Sequence, residues 1–263
     1  MIRLHDVALE IAGRPLLSGL TFDAAPGEIV IVIGPNGVGK TTLLRAIAGQ
    51  HPVRAGDLLV DDVAVGSLSP LERARRIAFL AAEEPLIESL AVREVVATGR
   101  YPHHRWWEWR EDERDAAAIS NALAQVRMET MHERLFSTLS SGERRNAWIA
   151  LALAQETPVL VLDEPTTHLD VHVAQRILAL LRRLATAGKT ILCALHDLNE
   201  AAAYADRIVL LGDGRMRAAG RPGEVLSSPL LDEAYATAMD RLRLSDGTLR
   251  VFAKSYPSGE GPS

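Results

Sequence analysis

Glu28-Ile-Val-Ile-Val-Ile33-Gly34-Pro35-Asn36-Gly37-Val38-Gly39-Lys40-Thr41-Thr42 decides the fold. A short, β-branched apolar run of this kind reads as a strand buried on both faces. It leads into a turn matching G-x-x-x-x-G-K-[ST], and Lys40–Ala48 then reads as a helix that Gly49 can end. Gly34, Gly37 and Gly39 let the backbone curl so that successive N–H groups face one anion. The start of the helix adds its positive dipole end. Lys40 can reach β- and γ-phosphates, and Thr41 can place a hydroxyl on Mg²⁺. Pro35, Asn36, Val38 and Thr42 complete the loop around a nucleoside triphosphate.

Outward from this loop, strand and helix patterns alternate. Ile2–Leu9 and Gly19–Ala24 read as strands, and Asp57–Val65 as a hairpin turned at Asp61-Asp62. Val159–Leu162 is a second buried strand. Val171–Ala187 is a helix with Ala174, Ile177, Leu178, Leu181, Leu184 and Ala185 on one face. Thr190–Leu195 is a third buried strand. Arg207–Leu211 and Arg215–Ala219 flank a Gly-Asp-Gly hairpin signal. The stretch from about 85 to 155 is richer in helix formers and holds every tryptophan. The pattern is an α/β core with a helical insertion in its middle.

Three further constellations carry chemistry. Val159-Leu-Val-Leu-Asp163-Glu164 is an apolar strand ending in two acids. Asp163 is the expected Mg²⁺ ligand, and Glu164 the group that orients or deprotonates an attacking water. Leu139-Ser140-Ser141-Gly142-Glu143 opens a helix; a Ser/Gly-rich helix opening can be an anion site, but alone it reads first as an ordinary N-cap. His196 directly follows a core strand, where it would face a ligand crevice.

Taken in order, these motifs resemble the ATPase subunits of ABC transporters: a Walker A loop at 34–42, a signature close to LSGGE at 139–143, a Walker B with its glutamate at 160–164, a D-loop at His168-Leu169-Asp170, and a switch histidine at His196. The resemblance spans nearly the whole chain. It implies an α/β fold: a P-loop NTPase (RecA-like) core, an antiparallel β subdomain and an inserted α-helical subdomain. The implied layout is a single domain over 1–256, with 1–84 and 156–228 as the nucleotide-binding core, 85–155 as the helical insertion and 229–256 as a small C-terminal extension. Residues 257–263 read as a disordered polar tail. The resemblance also implies a head-to-tail homodimer with ATP between Walker A of one copy and Ser140 and Gly142 of the other, and Asp170 at the seam. It implies integral membrane permease subunits as partners and, indirectly, a substrate-binding protein. The catalytic set becomes Lys40, Glu164 and His196, with ATP and Mg²⁺ bound. Gly99-Arg-Tyr-Pro-His103 and Gly220-Arg-Pro-Gly-Glu-Val-Leu226 resemble segments of the importer ATPases for iron–siderophore, haem or vitamin B12. Trp106, Trp107 and Trp109 either meet the permease or fill the insertion's own core. His103 and His104 read as a surface loop in preference to a haem or metal site.

Three positions depart from the family pattern. Ala82 stands where a Mg²⁺-ligating glutamine is usual; Glu83 or Glu84 could supply a carboxylate nearby. Ile11 stands where an aromatic usually stacks on adenine, so base contact would be apolar only. Ser141 replaces a signature glycine. Ala82 motivates an alternative, a nucleotide-binding regulatory ABC protein with weak turnover. A cassette of translation or DNA repair would carry a second cassette or a long coiled coil, and neither pattern is visible.

Composition restricts the classes further. The chain has 263 residues, is 48% hydrophobic and carries a net charge of -5. That size supports a substantial core, and no basic excess points to nucleic acid. Asp6 breaks the N-terminal apolar stretch, so no signal peptide is expected there. No apolar run approaches the ~20 residues of a membrane span. Cys193 is the sole cysteine and reads as a buried hydrophobe, in keeping with a reducing compartment. The expected location is cytoplasmic, peripheral on the inner face of the cell membrane.

Overall fold

The computed structural model describes residues 1–83, 85–104, 111–245 and 247–254. The N-terminal half begins β1 (Ile2–Ile11), β2 (Arg14–Ala24), β3 (Ile29–Ile33), α1 (Lys40–Ile47), β4 (Ala55–Val60), β5 (Val63–Ala64), α2 (Pro70–Ala74) and β6 (Ile77–Leu80). Three helices follow: α3 (Val92–Ala97), α4 (Glu113–Gln125) and α5 (Ser141–Ala154). The chain then returns through β7 (Val159–Asp163), α6 (Val171–Thr186), β8 (Thr190–Ala194), α7 (Leu198–Tyr204), β9 (Arg207–Gly212) and β10 (Arg215–Gly220). It closes with α8 (Pro222–Ser227), α9 (Pro229–Tyr235), β11 (Met239–Arg243) and β12 (Leu249–Ala253).

The main sheet has the order β5-β4-β1-β2-β10-β9-β3-β8-β7-β6. From β9 to β6 the neighbours are parallel, while β1, β2, β4 and β5 pair antiparallel. The α/β fold with an antiparallel subdomain is therefore as expected. Every residue of β3, β7 and β8 is buried, because helices cover both faces of the parallel part. Side chains alternate between those faces. Ile29, Ile31, Ile33, Leu160, Leu162, Ile191 and Cys193 join one core with α3 to α6. Val30, Val32, Val159, Val161, Leu192 and Ala194 join the other, with α1 and the antiparallel strands. Burying one such aliphatic side chain contributes about 1.5–3 kcal/mol, so these strands hold the fold. Cys193 is fully buried, and burial pushes its thiol up to about 12, so it is an inert hydrophobe.

The amphipathic helix expected after β7 forms, and its whole expected face is buried. The first two strands run longer than the sequence pattern predicts. Ala12 and Gly13 adopt positive φ and make a tight turn, so Ile11 pairs with Arg14 and exposed residues are drawn into the ladder. Asp6, also at positive φ, marks a register shift between Leu4 and Val7. Among the described residues no helix is long and apolar enough to cross a membrane. Trp106, Trp107 and Trp109, the tail 257–263 and Glu84 lie outside the described residues.

The segment 99–103 ties the helical insertion to the sheet. Gly99 lies so close to α5 that a Cβ would sit 2.4 Å from the Leu151 carbonyl. Arg100 is buried; it donates to Asp115 at 2.8 Å, to the Ala154 carbonyl at 2.7 Å and to Glu156 at 2.7 Å. Pro102 accepts from Arg75 at 2.7 Å. His104 pairs with Asp115 at 2.9 Å, and His103 contacts the Gln155 carbonyl. Both histidines thus have structural partners, and among the described residues no metal-holding cluster forms. Truncating Arg100 leaves Oδ1 of the buried Asp115 carboxylate without its charged partner. Arg100→Ala is therefore expected to lose about 3–5 kcal/mol of unfolding free energy in urea denaturation, with Arg100→Lys intermediate.

Candidate functional site

Parallel register brings the expected residues to one edge. Val32 lies opposite Ala194, Ala194 opposite Asp163, and Leu162 opposite Leu80. The loop after β3, the acids ending β7, His196 after β8 and Ala82-Glu83 after β6 therefore all emerge from the same end of the sheet. That is the carboxyl edge, where open α/β sheets hold ligands.

The glycine loop is shaped by its neighbours. Gly34 has φ +150, and a Cβ there would meet the Leu211 carbonyl at 2.5 Å. Gly39 has φ +109 and lies against Leu16 and Leu17 of β2. Lys40, in the first turn of α1, is buried and donates to the carbonyls of Gly34 at 2.8 Å and Pro35 at 3.2 Å. Burial lowers its pKa, while Glu164 and Asp163 pull it back up. The lysine thus sits in a low-dielectric loop, where its attraction for an anion is screened less than in water. The Gly34 amide donates to the Tyr235 hydroxyl at 3.0 Å. Sequence reading missed Tyr235, because nothing local marks a tyrosine of a C-terminal helix as a loop partner.

Asp163 is 1% exposed, and its Oδ1 has no hydrogen-bond partner among the described residues. Burial raises its pKa; hydrogen bonding to Thr41 and the charges of Arg45 and Lys40 oppose that rise. An orphaned oxygen beside a threonine hydroxyl fits a hard divalent cation that takes oxygen ligands. Ala82 is an exposed methyl that offers no ligand. Glu83 is also exposed beside it.

Glu164 adopts φ +50. Its Oε1 lies 2.5 Å from His196 Nε2, and its Oε2 accepts from Thr167 at 3.3 Å. Asp197 caps α7 by accepting from the amides of Asn199 and Glu200, so the histidine is held at a fixed strand-to-helix turn. Asn199 in turn exchanges two hydrogen bonds with Val251 of β12.

The Ser140–Glu143 segment stands elsewhere. Ser140 and Glu143 form a reciprocal capping box on α5, with bonds of 2.7 and 3.3 Å. Gly142 packs against Val173 of α6, and Ser141 lines a cleft with Ala82, Arg145, Trp148 and His168. Helix α5 belongs to the core opposite the one that holds α1. Asp170, exposed, caps α6 through the Val173 amide at 2.9 Å. Ile11 is 49% exposed at the tip of the β1–β2 hairpin, whose Leu16 and Leu17 touch Gly39. Arg145 is a second residue that sequence reading missed. It is buried and bonded to four carbonyls around β6 and β7.

The edge from Gly34 to His196 makes the molecule a P-loop nucleoside triphosphatase. Comparison with known proteins refines that class. The family description "ABC transporter" matches residues 17–167. The chain is 39% identical over 234 residues to the hemin import ATP-binding protein HmuV of Rhodococcus jostii (strain RHA1), covering 89% of this chain and 79% of that protein. It is 37% identical over 236 residues to the ferric enterobactin transport ATP-binding protein FepC of Escherichia coli (strain K12), covering 89% and 86%. Among solved structures, a dimeric bacterial ABC transporter cassette superposes with a TM-score of 0.74 at 26% identity, covering 84% of this chain and 99% of that one. The chain belongs to the ABC transporter family, among its ATPase subunits.

The raised pKa of Asp163 has a definite sign. The folded state binds this proton more tightly than the unfolded chain, so the group's contribution to stability falls as pH rises from the ordinary aspartate range through the raised value. Asp163→Asn removes the buried charge. The nucleotide-free variant is expected to melt about 2–4 °C higher. It should also lose the Mg²⁺-dependent part of the stabilisation by ATP. Thermal melts with ATP, with and without Mg²⁺, check both.

Proposed function

We propose that this chain is the ATPase that powers import of a chelated-iron or haem-type substrate, with cobalamin-type cargo in the same class. The contact between Glu164 and His196, opposite Lys40 and Asp163, carries the hydrolytic part of this reading. The relatives named above support the cargo class, since they are ATP-binding proteins of hemin import and of ferric enterobactin transport. The 99–103 segment supports the same grouping.

In this reading the loop 34–42 wraps the phosphates with its amides, and Lys40 leaves the Gly34 and Pro35 carbonyls to meet the β- and γ-oxygens. Ile11 gives the base an apolar contact. Thr41 and Asp163 would hold Mg²⁺, with Glu83 as a further candidate ligand; when bound, the ion neutralises charge on the β- and γ-phosphates. Glu164 orients a water and takes its proton as the water's oxygen bonds the γ-phosphorus. The bond to the β-phosphate oxygen breaks, and ADP leaves with that electron pair. His196 holds Glu164 and can donate to the γ-phosphate.

Ser140, Ser141, Gly142 and Glu143 serve the partner copy's nucleotide. Their helix packs on the face of the sheet opposite α1, which supports a site completed by two chains. Asp170 lies at that seam. The homodimer would dock on membrane permease subunits at the cytoplasmic face, with a substrate-binding protein delivering cargo from the other side. Domain boundaries follow the expected single-domain layout over 1–256.

Glu164→Gln is expected to cut steady-state turnover by about 10²–10⁴-fold, with and without permease, while ATP affinity holds. Normal turnover in this variant would exclude Glu164 as the base. Lys40→Ala should abolish measurable ATP binding in calorimetry, since the phosphates lose a buried, charge-assisted donor.

A further inference from the structure

The guanidinium of Arg145 lies between two segments that both border the site. Arg145 is on α5, 7% exposed. Its Nε donates to the Pro165 carbonyl at 3.1 Å. Its Nη2 donates to the carbonyls of Asp163 and Glu164, each at 3.0 Å. Its Nη1 donates to the Ala81 carbonyl at 2.9 Å. One rigid fork therefore grips three consecutive carbonyls of the turn that carries Glu164, and one carbonyl of the segment that follows β6.

We propose that Arg145 is a positioning residue for hydrolysis: it sets the backbone turn that aims Glu164 and links that turn to the segment 81–83. This rests on the reading of Glu164 as the base. Glu164 sits at φ +50, a conformation disfavoured for a side chain with a Cβ. Such a turn persists only when its surroundings over-determine it. Rotating the peptide after Glu164 out of this conformation would swing its carbonyl off the guanidinium and move the carboxylate from its 2.5 Å contact with His196. Arginine suits the task because its five N–H donors have fixed planar geometry. The link to Ala81 matters because Ala82 has only a methyl group. The 81–83 segment therefore reaches the catalytic turn through a main-chain carbonyl and Arg145. Displacing that segment pulls on the same fork that holds Glu164.

The test compares Arg145→Met, which keeps the stem and removes the fork, with Arg145→Lys, which keeps the charge, both in the full chain. With MgATP as probe, Arg145→Met is expected to lower kcat by about tenfold to a hundredfold, as a misplaced catalytic group does, while KM and ATP affinity stay within about twofold. Lysine should not rescue kcat, because a point charge cannot span four carbonyls. Without nucleotide, amide hydrogen exchange should rise together at 163–168 and at 81–83 in both variants, with α1 unchanged. Parental kcat in Arg145→Met, rescue by lysine, or faster exchange at one segment alone would overturn the proposal. Should Arg145→Met not fold, the Lys variant carries the same kinetic and exchange comparison. Failure of the Glu164 reading is separately visible: Glu164→Gln would then turn over normally, while the joint rise in exchange would persist.

Discussion

The hydrogen-bond register of the parallel strands is the constraint on which the rest depends. Val32, Ala194 and Asp163 stand side by side across β3, β8 and β7, and Leu162 stands beside Leu80 on β6. With the strand ends aligned, the glycine loop, the two acids, the switch histidine and the segment after β6 share one edge. A slip of one residue in β7 would turn Asp163 to the opposite face and bury Glu164's neighbours wrongly. Complete burial of β3, β7 and β8 on both faces resists that slip.

The same burial creates the electrostatics of the site. Asp163 is a buried acid with one oxygen unpaired among the described residues, and Lys40 is a buried cation bonded to two loop carbonyls. Each carries a desolvation cost in the fold that a charged ligand can offset. At the same edge Glu164, a residue with a Cβ, has positive φ.

A few polar side chains fasten the helical insertion and the C-terminal extension to their neighbours. Arg100 bonds the insertion to itself and to the start of the path into β7. Arg145 bonds α5 to the turns after β6 and β7. Tyr235 accepts from the first amide of the phosphate loop, and Asn199 zips α7 to β12. Helices α5 and α9 therefore do more than cover apolar surface, since Arg145 and Tyr235 place polar groups against the catalytic turn and the phosphate loop.

The phosphate loop, the strand-end acids, His196 and the buried face of α6 were legible in the sequence because each is local. A glycine pattern, an alternating apolar run or a 3.6-residue stripe is written within a few consecutive positions. The extra length of β1 and β2 was not legible, because pairing across the Ala12-Gly13 turn recruits exposed residues that lack strand patterning. Arg145 and Tyr235 were not legible either. An arginine in an N-terminal helix turn reads as a solvated side chain, and a tyrosine in a C-terminal helix reads as core filler. Only the fold, bringing residues 81, 145 and 163–165 together and laying residue 235 against residue 34, decides that they hold the phosphate loop and the catalytic turn. Sequence thus determined which groups could do the chemistry, and tertiary structure decided what holds them in place, because their partners are carbonyls and amides that carry no side-chain signature.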